Sequence, residues 1–170
     1  MRSGHLLTIV GVVCCIAFSD KRLPLLAASA ELDKLELWVG HWRTEGTGGT
    51  SLSVDDECAW LPNHRFVVCD QTINGKTNQL LILTYDMADN TYRVSSLGTD
   101  RDPVVGRATL NGKIWTTRGE FDSNGKKTLI KNIVDFSHND YRVDSEMVSD
   151  DGGAHWTENS HARLTKVPDE

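Results

Sequence analysis

No segment of this chain concentrates Lys and Arg, and the whole carries 18 basic against 24 acidic side chains, a formal net charge of −6. Such a surface repels a phosphate backbone, which argues against a nucleic-acid partner. No apolar run is long enough for a membrane-spanning helix: Leu6 to Phe18 falls well short of the roughly 20 residues required. Nothing reads as a linker or a second domain, so the chain holds one substantial core. A serine–histidine–aspartate set, a phosphate loop and a zinc-protease motif are all missing, which leaves no positioned nucleophile. Cysteine is scarce as well, with only four in the chain.

What is present begins with Arg2 and the apolar run from Leu6 to Phe18, the pattern of a signal peptide over residues 1–30. Small residues precede a cleavage point after Ala30, in Ala28-Ser29-Ala30, and an alternative one after Ser19, in Ala17-Phe18-Ser19. Cys14 and Cys15 lie inside the run, where Gly11-Val12-Val13-Cys14 makes a poor lipidation box. Loss of this leader takes Arg2, Lys21, Arg22 and Asp20 with it, deepens the net charge to about −8, and leaves Cys58 and Cys69 as the mature chain's cysteines. The expectation is an exported protein, periplasmic or extracellular, with residues 31–170 as its domain and no transmembrane segment in the mature chain.

The run from Glu57 to Asp70 reads as a hairpin. With Leu61 opposite Phe66 across Pro62-Asn63-His64-Arg65, Cys58 falls opposite Cys69, and a cross-strand disulfide follows in an oxidising compartment. The alternative is a pair of buried free thiols. If the disulfide faces outward, Glu57 and Asp70 point inward and titrate as a coupled pair.

Ala30 to Trp38 is the one helical stretch, with Leu32, Leu35 and Val39 near a 3.6-residue period, and it is short enough to serve as a lid or plug. From Gly40 onward, short strand patterns alternate with turn chemistry such as Asn74-Gly75, Asn111-Gly112 and Asp151-Gly152-Gly153. The spacing predicts strands over 41–48, 50–61, 66–73, 77–86, 91–98, 103–110, 113–121, 126–136, 141–149 and 154–166. About ten antiparallel strands in one domain need a barrel or a sandwich to hide their apolar face, and the short turns favour an all-β meander barrel with a lumen.

Turn positions suggest a register. Tyr85 pairs with Tyr92, Ala108 with Trp115, Trp115 with Asn132, and Phe136 with Tyr141; the last of these sets Asn132 opposite Ser145 and turns Asp135, Arg142, Lys131 and Glu146 to solvent. Closing the final hairpin at Ser149–Ala154 places Met147 opposite Trp156 and Ser145 opposite Glu158. An inward row of Ala108, Trp115, Asn132, Ser145 and Glu158 results, and it is either a closed polar network or a ligand site. A one-residue bulge would turn Glu158 outward.

Gly40-His41-Trp42, after the helical lead-in, resembles the Gly-x-Trp opening of lipocalins and their calycin relatives. In that family the Trp packs at the closed base beneath an Arg of the last strand, a part that Arg163 could take, although the register points it outward. The order of Gly40-His41-Trp42, Glu57-Cys58-Ala59-Trp60 with Arg65-Phe66-Val67-Val68-Cys69, Tyr85-Asp86, Trp115, and Ser149-Asp150-Asp151-Gly152-Gly153 before Trp156 is similar to the exported lipocalin-like bacterial family of domain of unknown function fifteen-seventy-nine. Asn63-His64 and Thr84 stand where that family commonly carries Gly. The resemblance implies a calycin-type barrel and export, with no catalytic residues to carry over.

The leading functional expectation is non-catalytic binding of a small apolar or amphipathic molecule, enclosed by Tyr85, Tyr92, Trp115, Tyr141, Met147 and Trp156 and oriented by Asn132, Ser145 and Glu158, without cofactor or metal. A barrel isomerase or cyclase with Glu158 as acid or base is one alternative. Another is haem binding through His161, since Ser160-His161-Ala162-Arg163-Leu164 and Glu45-Gly46-Thr47-Gly48-Gly49 resemble parts of the nitrobindins. A structural or protein-interaction module is the third. His41, His155 and His161 become neighbours if the first and last strands close the barrel, while His64 and His138 lie in turns.

Overall fold

The computed structural model describes residues 29–44, 52–99, 102–123 and 125–168. Ten strands follow one another as consecutive antiparallel neighbours: β1 (Gly40–Thr44), β2 (Val54–Trp60), β3 (Val67–Ile73), β4 (Thr77–Asp86), β5 (Thr91–Gly98), β6 (Val104–Asn111), β7 (Ile114–Ser123), β8 (Lys126–Asp135), β9 (Tyr141–Ser149) and β10 (Thr157–Val167). The meander closes into a barrel when β1 pairs with β10, from His41 opposite Val167 to Thr44 opposite Leu164. Closure leaves the sheet no free edge. This is the architecture of the broad calycin and lipocalin group. The turn residues act as expected: Asn74 and Gly75 both take left-handed conformations, with φ of 53° and 63°, at the centre of the tight turn between β3 and β4 in which Lys76 N donates to Ile73 O.

The helical lead-in covers nearly the expected residues but tightens along its length, α-helical over 29–33 and continuing as a 3₁₀ segment over Lys34–Leu37. It plugs the barrel end that carries the β2–β3, β4–β5, β6–β7 and β8–β9 turns. Leu35 and Trp38 are buried there, each contributing roughly 1.5–3 kcal/mol of apolar burial. Trp38 meets Trp115 and Phe136 edge-on, at centroid distances of 5.5 and 5.3 Å. Polar ties hold the plug in place: the Tyr92 hydroxyl donates to Glu31 Oε2 at 2.7 Å, and Trp60 Nε1 donates to Glu36 Oε2 at 2.7 Å.

The β2–β3 hairpin has the expected pairing, and Cys58 and Cys69 form a disulfide. Both cysteines are buried, with their sulfurs inside the barrel. Glu57 and Asp70 therefore lie on the outer face, where both are exposed, so the inward carboxylate pair that depended on an outward disulfide does not form.

Elsewhere the expected register needs three corrections. Along β6, β7 and β8 the pairs are displaced by two residues: Leu110 faces Trp115 and Trp115 faces Val134. A two-residue slip leaves every side chain on its expected face. Between β8 and β9 the slip is a single residue, with Asn132 opposite Glu146 and Val134 opposite Asp144. All of β9 is thereby turned over, so Arg142, Asp144 and Glu146 point inward while Tyr141, Val143, Ser145 and Met147 point outward. The local cause is Phe136, whose amide donates to Lys113 O at 2.9 Å and whose ring is buried at the base, so it cannot pair with Tyr141. Between β9 and β10 a bulge at Asn159 separates Met147–Glu158 from Glu146–Ser160 and leaves Glu158 outside.

Candidate functional site

The corrected register assembles a different inward row from the one expected. Ala108 pairs with Thr117, Thr117 with Asn132, Asn132 with Glu146, and Glu146 with Ser160, running across β6, β7, β8, β9 and β10. The chemistry is the one anticipated, an amide beside a carboxylate and hydroxyls, but Asn132 is the polar residue the two rows share. Thr117, Asn132, Glu146 and Ser160 all line a cavity of about 140 Å³ inside the barrel.

Trp38 supplies the cavity's floor, and Val54, Leu81, Val94, Ile130, Ala162 and Leu164 are among its apolar walls. Gln71 and Gln79 face the same space and are hydrogen-bonded to each other at 3.2 Å. A cavity of about 150 Å³ holds one benzene-sized molecule, whereas drug-sized ligands occupy roughly 300–1,000 Å³. At about 140 Å³ the lumen cavity falls in the first of these ranges.

Beneath this cavity runs an ionic network. Arg142 and Asp56 are fully buried and joined by a hydrogen bond from Nη2 to Oδ2. The guanidinium also lies 5.0 Å from the Trp38 ring centroid and 5.1 Å from that of Trp42, between the plug and the first strand. The Trp–Arg contact expected at a lipocalin-type base is therefore present, but Arg142 of β9 makes it. Arg163 lies on the outer face, 3.8 Å above the Tyr141 ring. Lys166 of β10 adds its ammonium 5.3 Å from the Trp42 centroid.

Asp144, one pleat above Arg142, comes within 3.2 Å of Arg142 Nε, close enough to pair but not aligned as a hydrogen bond. Burial pushes the Asp144 carboxyl up to about 6, opposed by Arg142 and reinforced by the Asp56 charge. Burial also raises Asp56, against the pull of Arg142 and of its hydrogen bond with Gln71. Five buried polar atoms in and below the lumen have no hydrogen-bond partner among the described residues: Trp38 Nε1, Asn132 Oδ1, Asp144 Oδ1, and Arg142 Nε and Nη1.

The residues chosen from sequence divide by layer. Tyr85, Tyr92 and Trp115 face inward but pack into the floor around Trp38, with Tyr92 4.8 Å from Trp115 and 5.1 Å from Tyr85. Asn132 lines the cavity itself. Tyr141, Ser145, Met147, Trp156 and Glu158 are on the outer surface: Tyr141 stacks on His138, Ser145 is 2.9 Å from His161 Nδ1, and Trp156 lies beneath the Lys131 ammonium. Met147 pairs with exposed Glu158.

His161 is thus an outer-face residue, and the Gly-rich run 45–49 lies outside the described residues. His155 pairs with Asp151 and His41 with Asp55, so these histidines do not converge with His161 as a ligand set. Among the described residues, one grouping brings metal-type ligand atoms within reach of a common point, namely Asp56, Cys58 and Cys69. Sulfurs joined in a disulfide have no thiolate to offer, so that grouping is not a metal site. The sequence reading missed Asp56, Asp144 and Glu146; the alternation Arg142, Asp144, Glu146 along one strand was the available signal.

No family model matches this chain, and no curated protein matches it either. Its class rests on the architecture, a closed ten-stranded antiparallel barrel with a short N-terminal helix. Among the described residues, no helix is long and apolar enough to cross a membrane.

Proposed function

We propose that this protein is an exported barrel that binds one small amphipathic molecule non-covalently in its lumen. The observation that carries the reading is the cavity above Trp38: apolar walls with a few converging polar groups, on a rigid closed sheet, are the usual make-up of a ligand site. Export is supported by the leader-like residues 1–30 and by the disulfide, which belongs to an oxidising compartment. The order of motifs from Gly40-His41-Trp42 to Trp156 supports placing the chain near the exported lipocalin-like family of domain of unknown function fifteen-seventy-nine.

Native mass spectrometry of the protein from its own culture tests the reading, using the wild type and Ala162→Phe. Ala162 is buried and lines the cavity, so the larger ring occupies the ligand's volume. A small molecule retained by the wild type and absent from the variant is the expected result. An empty wild type that also takes up no benzene at saturation would reject lumen binding.

A further inference from the structure

We propose that the lumen ligand is a protonated primary amine on a compact apolar body about one ring across, with its ammonium held between Asp144 and Glu146. This deepens the lumen-binding reading and rests on it. The first ground is charge. Among the described residues that point inward in the cavity or just beneath it, three carboxylates, Asp56, Asp144 and Glu146, share one cation, Arg142. Lys166 does not redress the balance, because its ammonium is over the Trp42 ring and it lines a separate hollow at the barrel base with Asp33 and Lys34. Arg142 is fully buried, bonded to Asp56 and 3.2 Å from Asp144 Oδ1, so this one guanidinium is already divided between two of the three carboxylates.

The second ground is unmet hydrogen bonding. Asn132 Oδ1 and Asp144 Oδ1 are buried acceptors with no aligned donor, and Asn132 stands directly opposite Glu146. An ammonium brings three donors and a positive charge to this wall, which answers both deficits together. An anion would meet the carboxylates and be repelled. A neutral apolar molecule would leave the acceptors bare at the usual cost of an unpaired buried group.

The third ground is the floor. Trp38 is 5% exposed, lines the cavity, and has an indole N–H that meets no acceptor. Along β9 the order from base to mouth is Arg142, Asp144, Glu146, with each step a pleat of about 6.8 Å. A ligand that spans this height carries an acceptor at its lower end for Trp38 and an ammonium at its upper end. The small volume limits the body between them to about one ring. Asp144 keeps 21% of its side-chain surface open although its oxygen Oδ1 is covered, consistent with a carboxylate facing unfilled space.

Calorimetric titration of the oxidised full chain with three isosteres decides the matter: 3-(aminomethyl)pyridine, 3-pyridylmethanol and nicotinate, with benzene as a reporter of lumen access. The amine is expected to bind about tenfold or more tightly than the alcohol, and nicotinate not at all. Glu146→Gln and Asp144→Asn are each expected to erase most of that preference, read as the ratio of amine to alcohol affinity. Glu146 lies nearer the mouth, so its variant keeps the test available if Asp144→Asn proves unstable. Benzene uptake together with equal affinity for amine and alcohol overturns the cation inference and leaves lumen binding standing; so does an amine preference that survives Glu146→Gln and Asp144→Asn combined. Failure of benzene and of all three isosteres overturns both.

Discussion

Replacing Arg142 by Met removes the charge at the centre of the base while keeping a flexible apolar stem. Arg142 and Asp56 are both 0% exposed, so deleting the cation leaves a carboxylate in the core with no counter-charge. Breaking such a pair costs roughly 3–5 kcal/mol, far more than removing an exposed one, because the remaining group is left desolvated and uncompensated. Lost cation–π contacts to Trp38 and Trp42 add about 0.5–2 kcal/mol. Against a typical total of roughly 5–15 kcal/mol, that is enough to unfold a marginal protein. Urea unfolding at pH 7 under oxidising conditions, followed by tryptophan fluorescence, measures the loss. Asp56→Leu combined with Arg142→Met should recover most of it, since a buried ion pair replaced by apolar side chains is often neutral or stabilising. A single-variant loss below about 1 kcal/mol, or a double variant no better than the single, would refute the idea that this pair governs the base.

Four further outcomes follow from the geometry. The Asp144 carboxyl, raised to about 6 from an unfolded value of 3.8, is protonated in the folded chain over a range where the unfolded chain has lost its proton. Its contribution to stability is therefore present below about pH 4 and lost as pH rises through about 6, with Asp56, Arg142 and Glu146 and the His161 charge as its neighbours. Asp144→Asn should remove this downward trend relative to wild type, and a parallel pair of stability–pH curves would contradict it. The Cys58–Cys69 bridge closes a loop with a sequence separation of 11, so Cys58→Ala with Cys69→Ala should lose about 3 kcal/mol in chemical unfolding; equal midpoints would count against a stabilising bridge. Trp38→Ala should cost about 3–5 kcal/mol through the vacated plug, and a thermal midpoint close to wild type would show that the helix does not seal the barrel. A Cβ at Gly106 would come within 2.8 Å of Thr117 Cγ2 and 2.9 Å of Arg118 O, so Gly106→Ala should destabilise by about 1–3 kcal/mol; an unchanged unfolding midpoint would mean β6 and β7 can part freely.

The sequence by itself determined what depends on neighbours along the chain. Asn-Gly turns, alternating apolar residues and the symmetry of Cys58 and Cys69 about a short turn are local, so the ten-strand meander, its closure and the disulfide were legible. So was the inward side of β4 to β8, because an error of two residues in pairing preserves the pleat. The face of β9 was not. On paper, Asp135 with Arg142 and Lys131 with Glu146 make complementary exposed pairs, and Val143 and Met147 make good inward residues. Tertiary structure decides otherwise because Arg142 meets Asp56, 86 residues away on β2 across the β1–β10 seam, together with the rings of Trp38 and Trp42. Phe136 leaves its strand to join that same cluster. One-residue register is set by which contacts the closed barrel can bury together, and those partners are brought within reach only when β1 meets β10. The same decision carries Asp144 and Glu146 into the lumen and gives the candidate site its charge.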